Sequence, residues 1–126
     1  MGSGTSLGRV RGLGAAKEGV HHWWLQRVTA ASNLLLVLWF VGSLVRLPSL
    51  DYSSVIMWLR QPVAAVPMLL FIVSVFWHLR LGVQVMLEDY FHGSSRVVAI
   101  LLLNFYTVAG AAAAVFAVLK IAFGAA

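Results

Sequence analysis

A histidine and an arginine lie two residues apart inside a strongly apolar stretch of this sequence, and two acids and a tyrosine follow where the stretch ends. The stretch, WHLRLGVQVMLEDYFHG, covers residues 77–93 and contains His78, Arg80, Asp89 and Tyr90. A neutral imidazole can bind a metal ion, relay a proton or form a structural hydrogen bond. A phenol or a carboxylate can hydrogen-bond a polar ligand. The elements that carry these groups decide which of the roles is feasible.

The composition indicates that lipid surrounds much of the chain. Of the 126 residues, 61% are hydrophobic and 10% are charged, and the mean hydropathy is +0.91. A soluble domain of this size could not bury so much apolar surface. The absence of cysteine excludes disulfides, thiolate zinc sites and iron–sulfur clusters on this chain. The formal net charge of +5 comes from scattered basic residues, which we interpret as topology determinants, and we expect no nucleic-acid binding.

Three uncharged runs predict three transmembrane helices. Each run is close to the roughly 20 residues that cross a bilayer as a helix, and none has the alternation of a membrane barrel strand. The predicted fold class is therefore all-α: an integral membrane protein with three transmembrane helices, part of a multi-subunit helix bundle. The predicted segments of this single membrane domain are a tail at 1–27, spans at 28–46, 61–87 and 97–120, connections at 47–60 and 88–96, and a tail at 121–126.

The distribution of basic residues predicts the orientation. Four of them precede the first span, whereas two flank the connection that follows it; they are Arg9, Arg11, Lys17 and Arg27, against Arg46 and Arg60. This asymmetry predicts a cytoplasmic N-terminus, a periplasmic connection at 47–60 and a cytoplasmic connection at 88–96. The glycine-rich first twenty residues are expected to be flexible or extended, with an interfacial segment after them. The first span is longer than a usual signal-peptide core, so we expect it to remain as a helix.

Ser74, His78, Gly82 and Asp89 fall on one stripe of the second span, at about 100° per residue. Small residues one turn above and one turn below the histidine predict a flat clearing beside the imidazole, which a planar cofactor ligated there would need. Arg80 lies about 200° around the helix from His78 and points away from this clearing. It has no assigned partner: it can pair with an acid or carbonyl of another subunit, or extend to the interface.

Spacing alone leaves three roles open for His78: a structural hydrogen bond, proton relay or transport, and haem ligation. No second histidine lies within the three spans, because His21, His22 and His92 are all near their edges. A bis-histidine haem would therefore need its other axial ligand from another subunit.

Other polar and small residues in the spans predict helix packing. Asn33 and Asn104 are expected to face inward and form hydrogen bonds. A strip of small residues in the third span predicts the close approach of another helix; it consists of Ala109, Gly110, Ala113, Ala114 and Ala117.

Two motifs carry a resemblance to a known family. The first is H-x3-G-x6-D-Y, formed by His78, Gly82, Asp89 and Tyr90; the second is LGR followed by GVHHWWLQRVTA, which leads directly into the first span. Together with the three spans, they resemble the small hydrophobic membrane anchor subunit of succinate dehydrogenase (respiratory Complex II) of the bacterial type with haem b. The resemblance covers nearly the whole chain.

This resemblance implies specific roles for five residues. His78 would supply one axial ligand to the iron of haem b, and the larger cytochrome b anchor subunit would supply the other. Tyr90 and Asp89 would form part of the ubiquinone-reduction site, and His21 and Arg27 would lie near the haem propionates. No catalytic residue is expected on this chain.

The resemblance also implies partners and a location. The chain would be a noncatalytic anchor that docks an iron–sulfur subunit and a flavoprotein subunit, which carry the clusters and the FAD. It would lie in the bacterial inner membrane, or alternatively in the mitochondrial inner membrane. Two other functions stay open: a small transport or channel subunit, and a structural anchor without haem. The spans carry no inverted repeat and no acidic residue, which disfavours transport. The direction of the reaction and the quinone type do not follow from the sequence.

Overall fold

The computed structural model describes residues 5–7 and 17–124. Residues 17–124 form four helices and no strand: α1 (Lys17–Arg46), α2 (Tyr52–Leu59), α3 (Pro62–Tyr90) and α4 (Gly93–Ala122). Three of them contain segments long and apolar enough to cross a membrane, namely Gly19–Arg46, Pro62–Tyr90 and Gly93–Ala122. The all-α class with three apolar spans is therefore confirmed. Arg9 and Arg11, which support the predicted orientation, lie outside the described residues.

The central helix of the fold is α3. It packs against α1 and against α4, while α1 and α4 do not approach each other within residues 17–124. The short helix α2 lies against α3 and α4. The three long helices therefore form a layer in which only α3 has a long helical neighbour on two sides. A polar or ligating residue on α3 can meet partners from both neighbours.

The layer buries very little of its own surface. Few described residues are buried: Leu59, Ala64, Ala65, Leu81, Thr107 and Val118. Large apolar side chains are exposed along all three long helices, and lipid or other membrane helices must cover them. This agrees with the expectation that the chain is one part of a larger helix bundle.

The connection between α3 and α4 is a tight turn. Helix α3 ends at Tyr90 and α4 begins at Gly93, so most of the segment 88–96 is helical instead of a loop. Gly93 has a φ of +63°, in the left-handed region that glycine adopts without steric penalty. Across the turn, Glu88 Oε1 lies 3.3 Å from Arg96 Nη2 and accepts a hydrogen bond from Gln84 Nε2 at 3.0 Å. Because Glu88 and Arg96 are paired in this way, both charged residues can be part of their helices next to the turn.

The segment 47–60 contains α2 and a hydroxyl-bound carboxylate. Asp51 directly precedes α2 and accepts hydrogen bonds from the hydroxyls of Ser49 and Ser53. These bonds, with a further one from Ser54, hold the pKa of the Asp51 carboxyl well below its usual range. They link side chains that precede the short helix to side chains in its first turn.

An aromatic cluster, made of Trp39, Phe40, Trp58 and Phe71, joins α1, α2 and α3. Trp58 stacks on Trp39 with ring centroids 5.8 Å apart. Phe40 lies 6.3 Å from Trp58 and 5.7 Å from Phe71 by the same measure. Ring pairs at these separations add stabilisation beyond the area they bury, so the cluster holds this end of the layer together.

The predicted strip of small residues in α4 faces α3 at one position. A Cβ added to Gly110 would lie 2.8 Å from Cε1 of Phe76, a distance that real Cβ atoms essentially never show. Glycine there lets the Phe76 ring rest against the backbone of α4. Other members of the strip, such as Ala113 and Ala117, are exposed.

Candidate functional site

A polar ladder runs along the interface between α1 and α3. It consists of Gln26, Thr29 and Asn33 on α1 and of Ser74, His78 and Gly82 on α3. Spacings of three and four residues place each set on one face of its helix. The helices run antiparallel, so Gln26 meets Gly82 and Thr29 meets His78. The spacing puts Asn33 and Ser74 about one turn further along.

His78 occupies the middle of this ladder. Its Nδ1 lies 3.0 Å from Thr29 Oγ1, within hydrogen-bond distance. The same hydroxyl donates to the carbonyl oxygen of Leu25 at 2.8 Å. The side chain is half-buried, and its other ring nitrogen, Nε2, has no hydrogen-bond partner among the described residues. One imidazole nitrogen is thus held by α1 while the other remains available to a ligand.

Three polar atoms of the ladder are buried and have no hydrogen-bond partner in the described part of the chain: Gln26 Oε1, Asn33 Oδ1 and Ser74 Oγ. An unpaired buried polar group costs about 1–3 kcal/mol. Asn33 was expected to face inward and form hydrogen bonds; its oxygen is buried, but nothing in the described chain donates to it. The ladder therefore has unused hydrogen-bonding capacity on both sides of His78.

Helix α1 fills part of the clearing predicted beside His78. A Cβ added to Gly82 would lie 3.5 Å from Nε2 of Gln26, an ordinary van der Waals distance. The small residue at 82 thus accommodates a side chain of α1. Helical periodicity gives the direction in which a side chain points. It does not give the neighbouring helix that the side chain faces. Asp89, the last residue of the stripe, is exposed near the end of α3.

Arg80, which had no assigned partner, binds within the chain. Its Nε donates to Asn104 Oδ1 on α4 at 2.7 Å, and its guanidinium carbon lies 5.8 Å from the centroid of the Trp77 ring. The expectation that Asn104 faces inward and forms a hydrogen bond is met by this contact. Because Arg80 is roughly 200° from His78 around α3, the two residues face different neighbouring helices.

The two residues assigned to a quinone site lie at the end of α3. Tyr90 is the last residue of the helix and is 80% exposed, and the neighbouring Asp89 is also exposed. Neither side chain has a hydrogen-bond partner among residues 17–124. Glu88 differs from them, because it is engaged by Gln84 and Arg96. The phenol and the Asp89 carboxylate are therefore free to contact a ligand or another chain.

His21 and Arg27 lie on different sides of α1. His21 lines a groove of about 460 Å³ between α1 and α3, on the side of Trp77 and Arg80. Arg27 is two residues from Thr29, about 200° around α1, and its guanidinium carbon lies 5.3 Å from the centroid of the Trp23 ring. The structure does not bring Arg27 and His78 together. Among residues 17–124, it also contains no group of three histidine, cysteine or acidic side chains that could hold a metal ion.

Sequence reasoning missed the contribution of α1 to this site. Thr29 and Gln26 contact the His78 stripe directly, yet neither was singled out. A signal was present, because Thr29 and Asn33 lie four residues apart within an uncharged and mostly apolar run. That spacing predicts a polar face towards a neighbouring helix.

Comparisons with known proteins agree on one family. Residues 1–121 match the model of a family described as the succinate dehydrogenase/fumarate reductase transmembrane subunit. The chain is 31% identical over 112 residues to the succinate dehydrogenase hydrophobic membrane anchor subunit of Rickettsia bellii, covering 86% of this chain and 90% of the relative. It is 32% identical over 116 residues to the subunit of the same name from Paracoccus denitrificans, covering 92% and 90%. A succinate dehydrogenase membrane anchor subunit of Reclinomonas americana is 34% identical over 92 residues, covering 70% and 77%.

Proposed function

The chain belongs to the family of succinate dehydrogenase/fumarate reductase transmembrane subunits, as a succinate dehydrogenase membrane anchor subunit, and we propose three tasks for it within that complex. It docks the flavoprotein and iron–sulfur subunits at the membrane. It supplies one axial ligand of a haem b shared with the larger cytochrome b anchor subunit. It forms part of the site where ubiquinone is reduced.

The proposal for haem rests on the state of the His78 imidazole. A metal-binding histidine uses one ring nitrogen as ligand and usually holds the other in a hydrogen bond. His78 fits this pattern, since Thr29 holds Nδ1 and Nε2 has no described partner. A haem with two histidine ligands takes up and releases single electrons. This chain offers one such ligand inside its spans, so the larger anchor subunit would provide the second.

The proposal for ubiquinone rests on the end of α3. Tyr90 would donate its phenolic proton in a hydrogen bond to a quinone carbonyl, and that bond strengthens as negative charge develops on the oxygen. Asp89 would help to shape the same site. Tyr90 lies roughly 18 Å along α3 from His78, which puts the quinone near the interface, where protons are available, and the haem deeper.

The remaining tasks belong to partner subunits. This chain has no cysteine, so iron–sulfur clusters, together with the flavin and succinate oxidation, would reside on the iron–sulfur and flavoprotein subunits.

His21 and Arg27 are proposed near the haem propionates, and Arg27 would have to leave the Trp23 ring to reach them. The excess of basic residues before the first predicted span, residues 28–46, supports a cytoplasmic N-terminus in a bacterial inner membrane.

The reduced-minus-oxidised spectrum of the purified complex tests the haem proposal. Substitution of His78 by alanine should abolish the b-type signal, because no other described histidine lies within the three apolar segments at comparable depth. His92→Ala is the matched control, since His92 is exposed in the turn between α3 and α4, and it should leave the spectrum intact. A His78→Ala complex with an unchanged spectrum would refute the ligand assignment. The absence of haem from the wild-type complex would instead favour a purely structural anchor.

A further inference from the structure

We infer that Thr29 is a positioning residue that selects the tautomer of His78 and keeps Nε2 ready to bind a metal. This inference rests on the proposed haem ligation by His78 and assigns a specific residue of α1 to it. Thr29 lies on a different helix from His78, 49 positions away in the sequence. Thr29 would fix the orientation of the imidazole through a hydrogen bond from α1.

The assignment follows from the number of protons available at the contact. The Thr29 hydroxyl carries one proton, and its oxygen lies 2.8 Å from the carbonyl oxygen of Leu25 and 3.2 Å from that of Gln26. Carbonyl oxygens only accept hydrogen bonds. The proton is therefore directed to the backbone of α1, and the hydroxyl oxygen accepts a hydrogen bond from Nδ1–H of His78.

This arrangement leaves Nε2 without a proton. In neutral imidazole one ring nitrogen carries the proton and the other carries a lone pair. With Nδ1 protonated, the lone pair is on Nε2, which is the atom that would bind iron. The opposite assignment would direct the hydroxyl lone pairs at the Leu25 carbonyl oxygen and put a proton where the metal bond has to form.

Thr29 also connects the imidazole to the backbone. Because its hydroxyl bonds the carbonyl one turn earlier in its own helix, the chain of hydrogen bonds runs from His78 through Thr29 to Leu25. When Nδ1–H donates a hydrogen bond, the basicity of the other ring nitrogen, the one that would bind the metal, increases. A more basic nitrogen stabilises ferric iron over ferrous iron. Loss of the Thr29 hydroxyl should therefore loosen haem retention and raise the haem reduction potential.

The experiment compares variants of the whole complex. Thr29→Val keeps the branched shape and removes the hydroxyl, whereas Thr29→Ser keeps the hydroxyl. Thr107→Val is a matched control, because Thr107 on α4 donates to the carbonyl of Leu103 in the same way but has no contact with His78. The measurements are the rate of haem loss to an excess of a haem-scavenging apoprotein, and the midpoint potential from a redox titration followed by absorbance.

Thr29→Val is expected to accelerate haem loss by about 10- to 100-fold, the range typical for the loss of such a supporting hydrogen bond, and to shift the potential upward. Thr29→Ser and Thr107→Val should match the wild type in both. Wild-type values in Thr29→Val would overturn the inference, as would equal effects in Thr29→Val and Thr29→Ser. If Thr29→Val does not assemble, Thr29→Ala replaces it in the same comparison with Thr29→Ser.

The failure of this inference is distinguishable from failure of the proposed function. If His78→Ala keeps the b-type spectrum, the haem proposal is wrong, and the role of Thr29 fails with it. If His78→Ala loses the spectrum while Thr29→Val keeps wild-type retention and potential, only the role of Thr29 is wrong.

Discussion

At one end of the helix layer, the rings of Trp39, Phe40, Trp58 and Phe71 pack on one another and join α1, α2 and α3. Towards the other end, a hydrogen bond between Thr29 and His78 joins α1 to α3, and one from Arg80 to Asn104 joins α3 to α4. The aromatic cluster is formed entirely within this chain. The polar ladder, in contrast, has three buried atoms and one His78 nitrogen that find no partner among the described residues.

The difference follows from what each kind of contact requires. Apolar rings gain stabilisation from contact with any well-fitting apolar surface. Polar groups in an apolar medium need partners at defined distances and angles, and they are costly when left unpaired. At the polar end, some groups still lack hydrogen-bond partners. A cofactor or another subunit that supplied those partners would stabilise this end more than the aromatic end. The aromatic end serves to hold the helices in place.

The largest effect should follow from removal of the Tyr90 hydroxyl. Tyr90→Phe deletes the donor proposed for the quinone carbonyl, and the loss of one such donor lowers turnover by about 100-fold. Quinone reductase activity of the complex should fall accordingly, while the haem spectrum is retained. Tyr106→Phe is the control, because Tyr106 on α4 is similarly exposed, at 79%, and has no proposed role. Normal quinone reductase activity in Tyr90→Phe would refute the assignment of Tyr90 to the quinone site.

Loss of one partner of the Arg80–Asn104 hydrogen bond should destabilise the complex, because the other partner is then left unpaired. Asn104→Leu leaves the Arg80 guanidinium without its acceptor in an apolar segment and should destabilise the complex by about 1–3 kcal/mol. The double variant Arg80→Met, Asn104→Leu removes both partners and should recover much of that loss. Thermal denaturation of the detergent-solubilised complex measures both. If the double variant were no more stable than Asn104→Leu, the contact would not explain why an arginine is tolerated in this span.

A smaller and purely structural effect is expected at the aromatic cluster. Trp58→Leu removes ring contacts with Trp39 and Phe40, and each such pair contributes roughly 0.5–1.5 kcal/mol beyond its buried area. The melting temperature should fall, whereas haem content and the quinone reductase activity of the folded complex should remain at wild-type levels. Loss of haem from a folded Trp58→Leu complex would show that the two ends are not independent.

The spans were predictable from the sequence because membrane crossing depends mainly on the length of an apolar run. The three runs correspond to α1, α3 and α4, and His78 lies within one of them. The turn between α3 and α4 was harder to predict, because charged residues at 88–96 indicate the edge of the membrane and do not by themselves end a helix. Ion pairing of Glu88 with Arg96 lets the helices continue there.

The partners of the site residues were less predictable than their positions. Helical periodicity relates Arg80 to His78 around the axis of α3, and it correctly separated the faces that carry them. It contains no information on the axial shift and rotation of α1 and α4, which bring Thr29 to His78 and Asn104 to Arg80. Those displacements result from side-chain packing between helices, such as that of Phe76 against Gly110.

The short turn between α3 and α4 has a consequence for membrane insertion. A charged arginine at the centre of an isolated helix costs about 2.5–3.5 kcal/mol to transfer from the translocon into lipid. Only two residues separate Tyr90 from Gly93, so α3 and α4 are held side by side as soon as both have formed. The two helices would therefore partition as a single hairpin, in which Asn104 already accepts the hydrogen bond from Arg80. The short turn is thus expected to lower the cost of inserting α3, because the arginine of α3 enters the membrane with its acceptor beside it.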